Sequence, residues 1–288
     1  MNTARVDLYT ARFNKVFDHI DRNLDDALTV DQLSRVAHFS KFHFHRQFSE
    51  YCGISVMRYI QLMRLKRASY RLVFNTLERI TDIALDAGFE NLESFSRAFK
   101  ATFGQTPTDF RKQPKWQPWN ERYRFPNRDR KIIMEVKIRN FKQTPIAVLE
   151  HRGPPDRVNE SVKIFIDWRK SSSLSPVSSS DTFGIVYDNP DTVAPEEFRF
   201  DICGAVTEDV PANPQGVINK MIPEGRCAVV RHLGSHQRIG EAAYYLYRDW
   251  LPGSSEELRD FPLFFHYLNL ITDTPEHDLV TDVYLPLT

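Results

Sequence analysis

The stretch "FSKFHFHRQF" (Phe39–Phe48) decides how the first half of the chain is read. Its middle alternates ring types, Phe42-His43-Phe44-His45, and strict alternation ordinarily marks a half-buried strand. Two histidines two positions apart also invite a metal ion. A helix accounts for the stretch better. Phe44, Phe48 and Tyr51 then fall at i, i+4 and i+7 in one buried stripe, and Phe42, His45, Arg46 and Ser49 fall on another face. On a helix, positions i and i+2 point about 200° apart, so His43 and His45 cannot share an ion. No metal and no cofactor are expected.

Working outward, the same pattern occurs twice. Leu33, Ala37 and Phe39 match Ile83, Ala87 and Phe89 at an offset of 50. Phe44, Arg46, Phe48 and Gly53 match Phe95, Arg97, Phe99 and Gly104 at 51. The one-residue slip predicts helix, turn, helix in each copy, with a longer turn in the second. Thr29 and Ser40 are expected N-caps in the first copy, Thr81 and Asn91 in the second. Gly53 and Gly104 are expected stops. Between the copies, roughly Ser55 to Phe74, one connecting helix is predicted, carrying Arg58, Arg64, Lys66, Arg67 and Arg71.

The zero net charge hides an asymmetry. Residues 1–131 hold 23 Lys and Arg against 15 Asp and Glu, which is +8, and residues 132–288 hold 15 against 23, which is −8. A basic half points to a polyanion partner. The texture divides the chain likewise: an all-helical region 1–113, a Pro-rich charged linker 114–131, and an α+β region 132–288. The last region also repeats, at an offset of 81. "AVLEHRG" (Ala147–Gly153) matches "AVVRHLG" (Ala228–Gly234), and Asp201 matches Asp282, while Trp168 and Trp250 correspond with a one-residue slip. Each copy is expected to be strand-helix-strand-strand, the two related by a pseudo-two-fold axis with a ligand groove between them.

Duplicated helix-turn-helix units on a stiff connector suit successive major grooves, about 34 Å apart, on one face of double-stranded DNA. Arg46 and Arg97 hold equivalent positions. A guanidinium can bond guanine O6 and N7 together, an aromatic ring can meet the thymine methyl, and Glu can accept from cytosine N4. The outward sets are therefore Phe42, His45 and Arg46 in the first copy and Leu92, Glu93, Ser94 and Arg97 in the second.

"GFENLESFSRAFKATFGQTPTDFRK" (Gly88–Lys112) and "FSKFHFHRQFSEYCGISVMRYIQLMRLKRA" (Phe39–Ala68) resemble the AraC family of transcription regulators. The resemblance covers about residues 8–112. It implies a seven-helix domain on promoter DNA that works through RNA polymerase, as an activator. The seven outward residues would contact bases, and Ser40, Lys41, Asn91 and Lys100 would contact phosphates. "FGIVYDNP" (Phe183–Pro190) and "TDVYLPLT" (Thr281–Thr288) resemble GyrI-like effector domains, giving a Rob-like architecture. That resemblance implies a pseudo-symmetric sheet with two helices and a cleft for a small-molecule effector. Trp168, Tyr187, Tyr244, Tyr247, Trp250, Phe264, Phe265 and Tyr267 are the candidate liners. Members that bind cations tend to carry a buried Glu in P-x-F-E-x-Y-L-N. Here "PLFFHYLN" (Pro262–Asn269) sets Phe265 in its place, which favours a neutral or amphipathic apolar ligand, or no ligand at all; a protein partner is the other candidate for this domain.

The alternatives are a small-molecule hydrolase and a topoisomerase-interacting module. His151, His232 and Glu241 could be assembled into acid–base chemistry, but no nucleophile motif or metal spacing accompanies them, so no catalytic residue is expected. The opening "MNTARVDLYT" lacks an apolar signal core, no run approaches the roughly 20 residues of a membrane helix, and three cysteines without a CxxC fit a reducing cytoplasm.

Overall fold

The structure, a computed structural model, describes residues 3–116, 134–190 and 192–288. The chain divides into two compact units, Met1–Lys131 and Ile132–Thr288. In the first unit the described residues form α1 (Thr3–Arg22), α2 (Val30–Val36), α3 (Lys41–Cys52), α4 (Val56–Phe74), α5 (Ile80–Asp86), α6 (Leu92–Phe103) and α7 (Pro107–Lys112).

Local chemistry sets these boundaries. Thr29 and Gln32 form a reciprocal capping box at α2. Ser40, Ser55 and Asn91 each accept the backbone N–H three residues on, which satisfies an amide that the helix itself leaves unpaired. α3 and α6 stop at Gly53 and Gly104, both left-handed. One expected cap is corrected. α5 begins at Ile80, so Thr81 lies inside the helix, and Arg79 precedes it without a side-chain cap bond. The turn between α2 and α3 is residues 37–40 and that between α5 and α6 is 87–91, so the slip is one extra residue, Glu90.

The two buried stripes anchor two small aromatic cores. Phe48 meets Phe13, Phe17 and Tyr59, while Phe99 meets Phe95, Phe103 and Phe110. α4 enters both: Tyr59 packs on Phe17 and Phe48, and Phe74 stacks on Trp116, which in turn sits edge-on to Phe110. Trp116, near the start of the stretch expected as a linker, is fully buried here. The rest of that stretch, from residue 117, lies outside the described residues.

The second unit runs β1 (Val136–Phe141), β2 (Thr144–Arg152), α8 (Val158–Ser172), β3 (Thr182–Val186), β4 (Arg199–Ala205), β5 (Ile218–Ile222), β6 (Gly225–Leu233), α9 (Ile239–Tyr245), β7 (Leu263–Tyr267) and β8 (Val280–Pro286). β2, β3 and β4 recur as β6, β7 and β8 at an offset of 81. Each repeat also carries a further strand in front, and these leading strands are exchanged: β1 pairs with β6, and β5 with β2. The eight-stranded antiparallel sheet has the order β1-β6-β8-β7-β3-β4-β2-β5. Laid flat, six strand spacings of about 4.8 Å would set β1 some 29 Å from β2. The two residues joining them span at most about 11 Å, so the sheet must curl. Phe141, at the end of edge strand β1, accordingly touches Phe183 and Phe264 on the central strands β3 and β7.

Alternation along the strands gives each face its own core. Leu149, Ile202, Val230, Phe265 and Val283 pack beneath the helices with Phe165 and Trp168. Val148, Phe183, Ile185, Phe264 and Tyr284 pack inside the curl. α9 continues as a π-helical turn over Leu246–Trp250. That wide turn absorbs one extra residue, which explains the slip between Trp168 and Trp250.

Candidate nucleic-acid interface and effector cleft

The outward face of α3 is bare. Phe42 is 88% exposed, an unusual position for a phenylalanine, and His45 and Arg46 are exposed beside it. On α6, Leu92, Glu93 and Arg97 are exposed. Ser94 is half-buried, and its hydroxyl donates to the Asn91 carbonyl at 2.9 Å, leaving its lone pairs to accept. Neither Arg46 nor Arg97 makes an ion pair among the described residues, so both guanidiniums face solvent with their donors available. Lys41 sits 3.0 Å from Asp31 in a half-exposed pair. Lys100 is exposed on the last turn of α6. Ser40 and Asn91 spend their side-chain oxygens as caps. His43 and His45 are both exposed, and no group of three or more His, Cys, Asp and Glu among the described residues is arranged to hold a metal.

In the second unit, α8 packs over β2 and β4, and α9 over β6 and β8. The central strands β3 and β7 therefore form the floor between the two helices. Thr182, Gly184, Val186, Leu263, Phe265 and Tyr267 share the floor's face by alternation along the two strands. Gly184 lies opposite Phe265. A Cβ on Gly184 would stand 2.5 Å from Phe200 Cζ and 3.0 Å from the Tyr267 hydroxyl, so the missing side chain is what lets those rings close over the centre. From the α9 wall, the Tyr244 hydroxyl donates to Asn189 Oδ1 at 2.9 Å, linking the second repeat to the first. The Arg248 guanidinium lies 4.1 Å over the Tyr244 ring.

The eight aromatic candidates do not line one cleft. Phe265 and Tyr267 are on the floor and Tyr244 on a wall. Trp168 is buried under α8, stacked on Phe165 at 5.4 Å, and Trp250 packs into the same helix–sheet core. Tyr247 is 41% exposed. Phe264 and Tyr187 are corrections, because alternation puts both on the opposite face of the sheet. Tyr187 there belongs to a charge network. Its hydroxyl donates to Asp201 at 2.8 Å, and the buried Asp201 also accepts from Lys220 at 2.6 Å and Arg152 at 3.2 Å. Burial and the Asp201 carboxylate push the Tyr187 phenol up to about 12.

The residues considered for acid–base chemistry are engaged in their own turns. His151 Nε2 faces the carbonyls of Gly153 and Pro154 at 3.2 and 3.1 Å, and Nδ1 faces the Ser161 hydroxyl at 2.9 Å. His232 Nε2 faces the Ser235 carbonyl at 2.9 Å, and burial lowers its pKa. Glu241 is held by Arg238. Sequence reasoning named the basic residues of α4 without a role. The i, i+3, i+7 spacing of Arg64, Arg67 and Arg71 is the signal that they share one side of the helix.

A unit of duplicated helix-turn-helix and a second unit of repeated α+β structure are the two parts of a DNA-binding regulator with a ligand-binding domain. Residues 134–288 match the family described as GyrI-like small molecule binding domain, and residues 33–113 match a helix-turn-helix domain. The chain belongs to the GyrI-like family and carries an AraC-type helix-turn-helix domain ahead of it; it is a transcription regulator. It is 47% identical over 156 residues to the Escherichia coli K12 "Probable transcriptional regulator YgiV", covering 54% of this chain and 98% of that one. It is 34% identical over 103 residues to the "Transcriptional regulator Rob" of Salmonella typhimurium, covering 36% and 35%. It is 36% identical over 102 residues to the Bacillus subtilis "Bifunctional transcriptional activator/DNA repair enzyme AdaA", covering 35% and 48%. The chain thus spans half or less of the latter two. No helix among the described residues is long and apolar enough to cross a membrane.

Proposed function

We propose that this protein is a sequence-specific activator that binds promoter DNA through α3 and α6 in successive major grooves, recruits RNA polymerase, and senses a small apolar or amphipathic effector in the groove between α8 and α9. One observation carries the DNA reading: equivalent arginines, Arg46 and Arg97, face solvent on equivalent helices of a duplicated unit. Phe42, His45 and Arg46 read bases in one groove, and Leu92, Glu93, Ser94 and Arg97 in the next. Lys41, Lys100 and the helix starts at Ser40 and Asn91 meet phosphates. Its workplace is the cytoplasm, where its DNA is, and it is not an enzyme.

The effector class follows from charge. The floor residues of β3 and β7 include no carboxylate, Phe265 stands at their centre, and Arg248 places a cation on the Tyr244 wall. A cationic ligand would find no carboxylate among these floor residues and only ring faces to offset its desolvation, whereas an apolar or amphipathic one needs no such partner.

Sites selected from random duplex DNA test the proposal. Arg46→Ala and Arg97→Ala should each weaken binding to the selected site by roughly 1–3 kcal/mol and relax preference at one base position. If both variants bind as tightly as wild type, the assigned faces are wrong. Transcription from a promoter carrying the site, with purified polymerase, should rise on adding the protein. Thermal shift should favour neutral amphipathic compounds over quaternary ammonium ions.

A further inference from the structure

We propose that an arginine ladder on α4, Arg64, Arg67 and Arg71, fixes the distance and rotational phase between α3 and α6, and so sets which spacing of two half-sites the protein accepts. This rests on the DNA reading of α3 and α6 above. The three residues fall at i, i+3 and i+7 and so lie along one side of the helix. α4 has 19 residues and spans roughly 28 Å.

Each rung is bonded to backbone or carboxylate from elements flanking the two helix-turn-helix units. Arg64 Nε and Nη2 donate to the carbonyls of Leu24 and Asp26 at 2.9 and 2.8 Å, in the loop that leads into the first unit. The same guanidinium lies against the turn of the second unit, for a Cβ on Gly88 would stand 2.6 Å from Arg64 Nη1. Arg67 forks onto Asp25, with Nη1 to Oδ2 at 2.9 Å and Nη2 on Oδ1, and Nη2 also reaches the Asp86 carbonyl at 3.4 Å. Arg71 forks onto Glu78, and its Nη2 bonds Asp86 Oδ2 at 2.7 Å. Asp86 is the last residue of α5, immediately before the turn into α6. Arg64 and Arg67 therefore touch both halves of the domain, and Arg71 locks the second half to the connector.

These cations are not spare charge for phosphates, since their donors are engaged within the protein. Their forked, planar geometry resists rotation in a way that apolar contacts between curved surfaces do not. Phase matters because one base pair changes half-site separation by about 3.4 Å and relative direction by about 35°.

The test uses the full chain and a duplex that the wild type selects from a random library. Versions with one base pair inserted or removed between the two protected grooves are compared. The wild type should bind the selected spacing at least about tenfold more tightly than either altered spacing. In Arg67→Ala that ratio should fall below about threefold, while each groove keeps its base preferences. Asp25→Asn removes the carboxylate end of the same bridge from a half-exposed position and should give the same loss if Arg67→Ala folds poorly. Arg67→Lys, with a point charge in place of a fork, should recover only part of the ratio. If the folded variants keep the wild-type ratio, the proposal falls and the two-head reading stands. If the wild type protects only one groove, both fall.

Discussion

His38 and Gly88 occupy the same place in the two turns, yet only one is glycine. Both are left-handed, with φ of 53° and 79°. An L-residue there is strained by roughly 1–2 kcal/mol. His38 is exposed and its side chain has room, whereas a Cβ at Gly88 would stand 2.6 Å from Arg64 Nη1. His38→Gly should therefore raise the unfolding free energy of the helical unit by roughly 0.5–1 kcal/mol, less the extra freedom glycine gives the unfolded chain. Gly88→Ala should lower it by at least about 1–2 kcal/mol and shift Arg64. Urea titration of the two variants checks both signs, and a His38→Gly that unfolds more easily would show the strain argument wrong.

At the scale of elements, the turn from β6 into α9 responds to pH. His232 is buried at the end of β6, and its pKa lies below the ordinary histidine value. The unfolded chain therefore binds a proton more readily than the native one. Stability is complete above about pH 6.5 and is lost progressively as the pH falls from there toward the folded pKa. The lowered carboxylates Glu150, held by Lys220, and Asp188, held by Arg199, act the same way only further into acid. Unfolding midpoints of the full chain at pH 7.5 and 5.5 should show a loss that His232→Asn flattens. A midpoint of the α+β unit that is level over that window would contradict the assignment. The π-turn in α9 is the other element-scale device. It keeps Trp250 against the sheet despite the extra residue, where a regular helix would rotate it by about 100°.

At the scale of the whole molecule, the exchanged strands make the two α+β repeats interdependent. Neither repeat owns the strand that covers its edge, since β1 belongs to the first and lies on the second. Phe141 carries this arrangement into the core by touching Phe183, Phe264 and Tyr284. Phe141→Ala should destabilise the α+β unit by roughly 2–4 kcal/mol, read from its unfolding transition by near-ultraviolet circular dichroism. A chain lacking β1 altogether should bind hydrophobic dyes, because the β6 edge and the inner core are both uncovered. A truncated chain that stays folded and dye-free would show the exchange to be incidental.

The helices, their caps and both duplications were legible because each is a local pattern. Spacing gives the face, an oxygen side chain gives the start, and a repeat shows itself by offset. Thr81 misled because a capping residue type can also sit inside a first turn, and the backbone that decides between them is set by packing. The leading strands β1 and β5 were missed because "VKIRNF" and "INKMI" are short and mostly exposed. Their partners are far away in sequence. Tyr187 and Phe264 were grouped with Phe265 because residue type marks an aromatic, while the face it points to depends on register.

The sequence by itself determined the two helix-turn-helix units, the repeat of the second unit and the placing of a phenylalanine at position 265. All three are read from residues within a few turns or at a fixed offset. Only the tertiary structure decided that the basic side of α4 is turned inward onto the protein's own carbonyls and carboxylates, that the sheet curls, and that two of the eight aromatic candidates, Phe264 and Tyr187, lie on the opposite face of the sheet. Those outcomes depend on which distant groups meet, and for the strand residues a one-residue change of register would move every side chain to the other face.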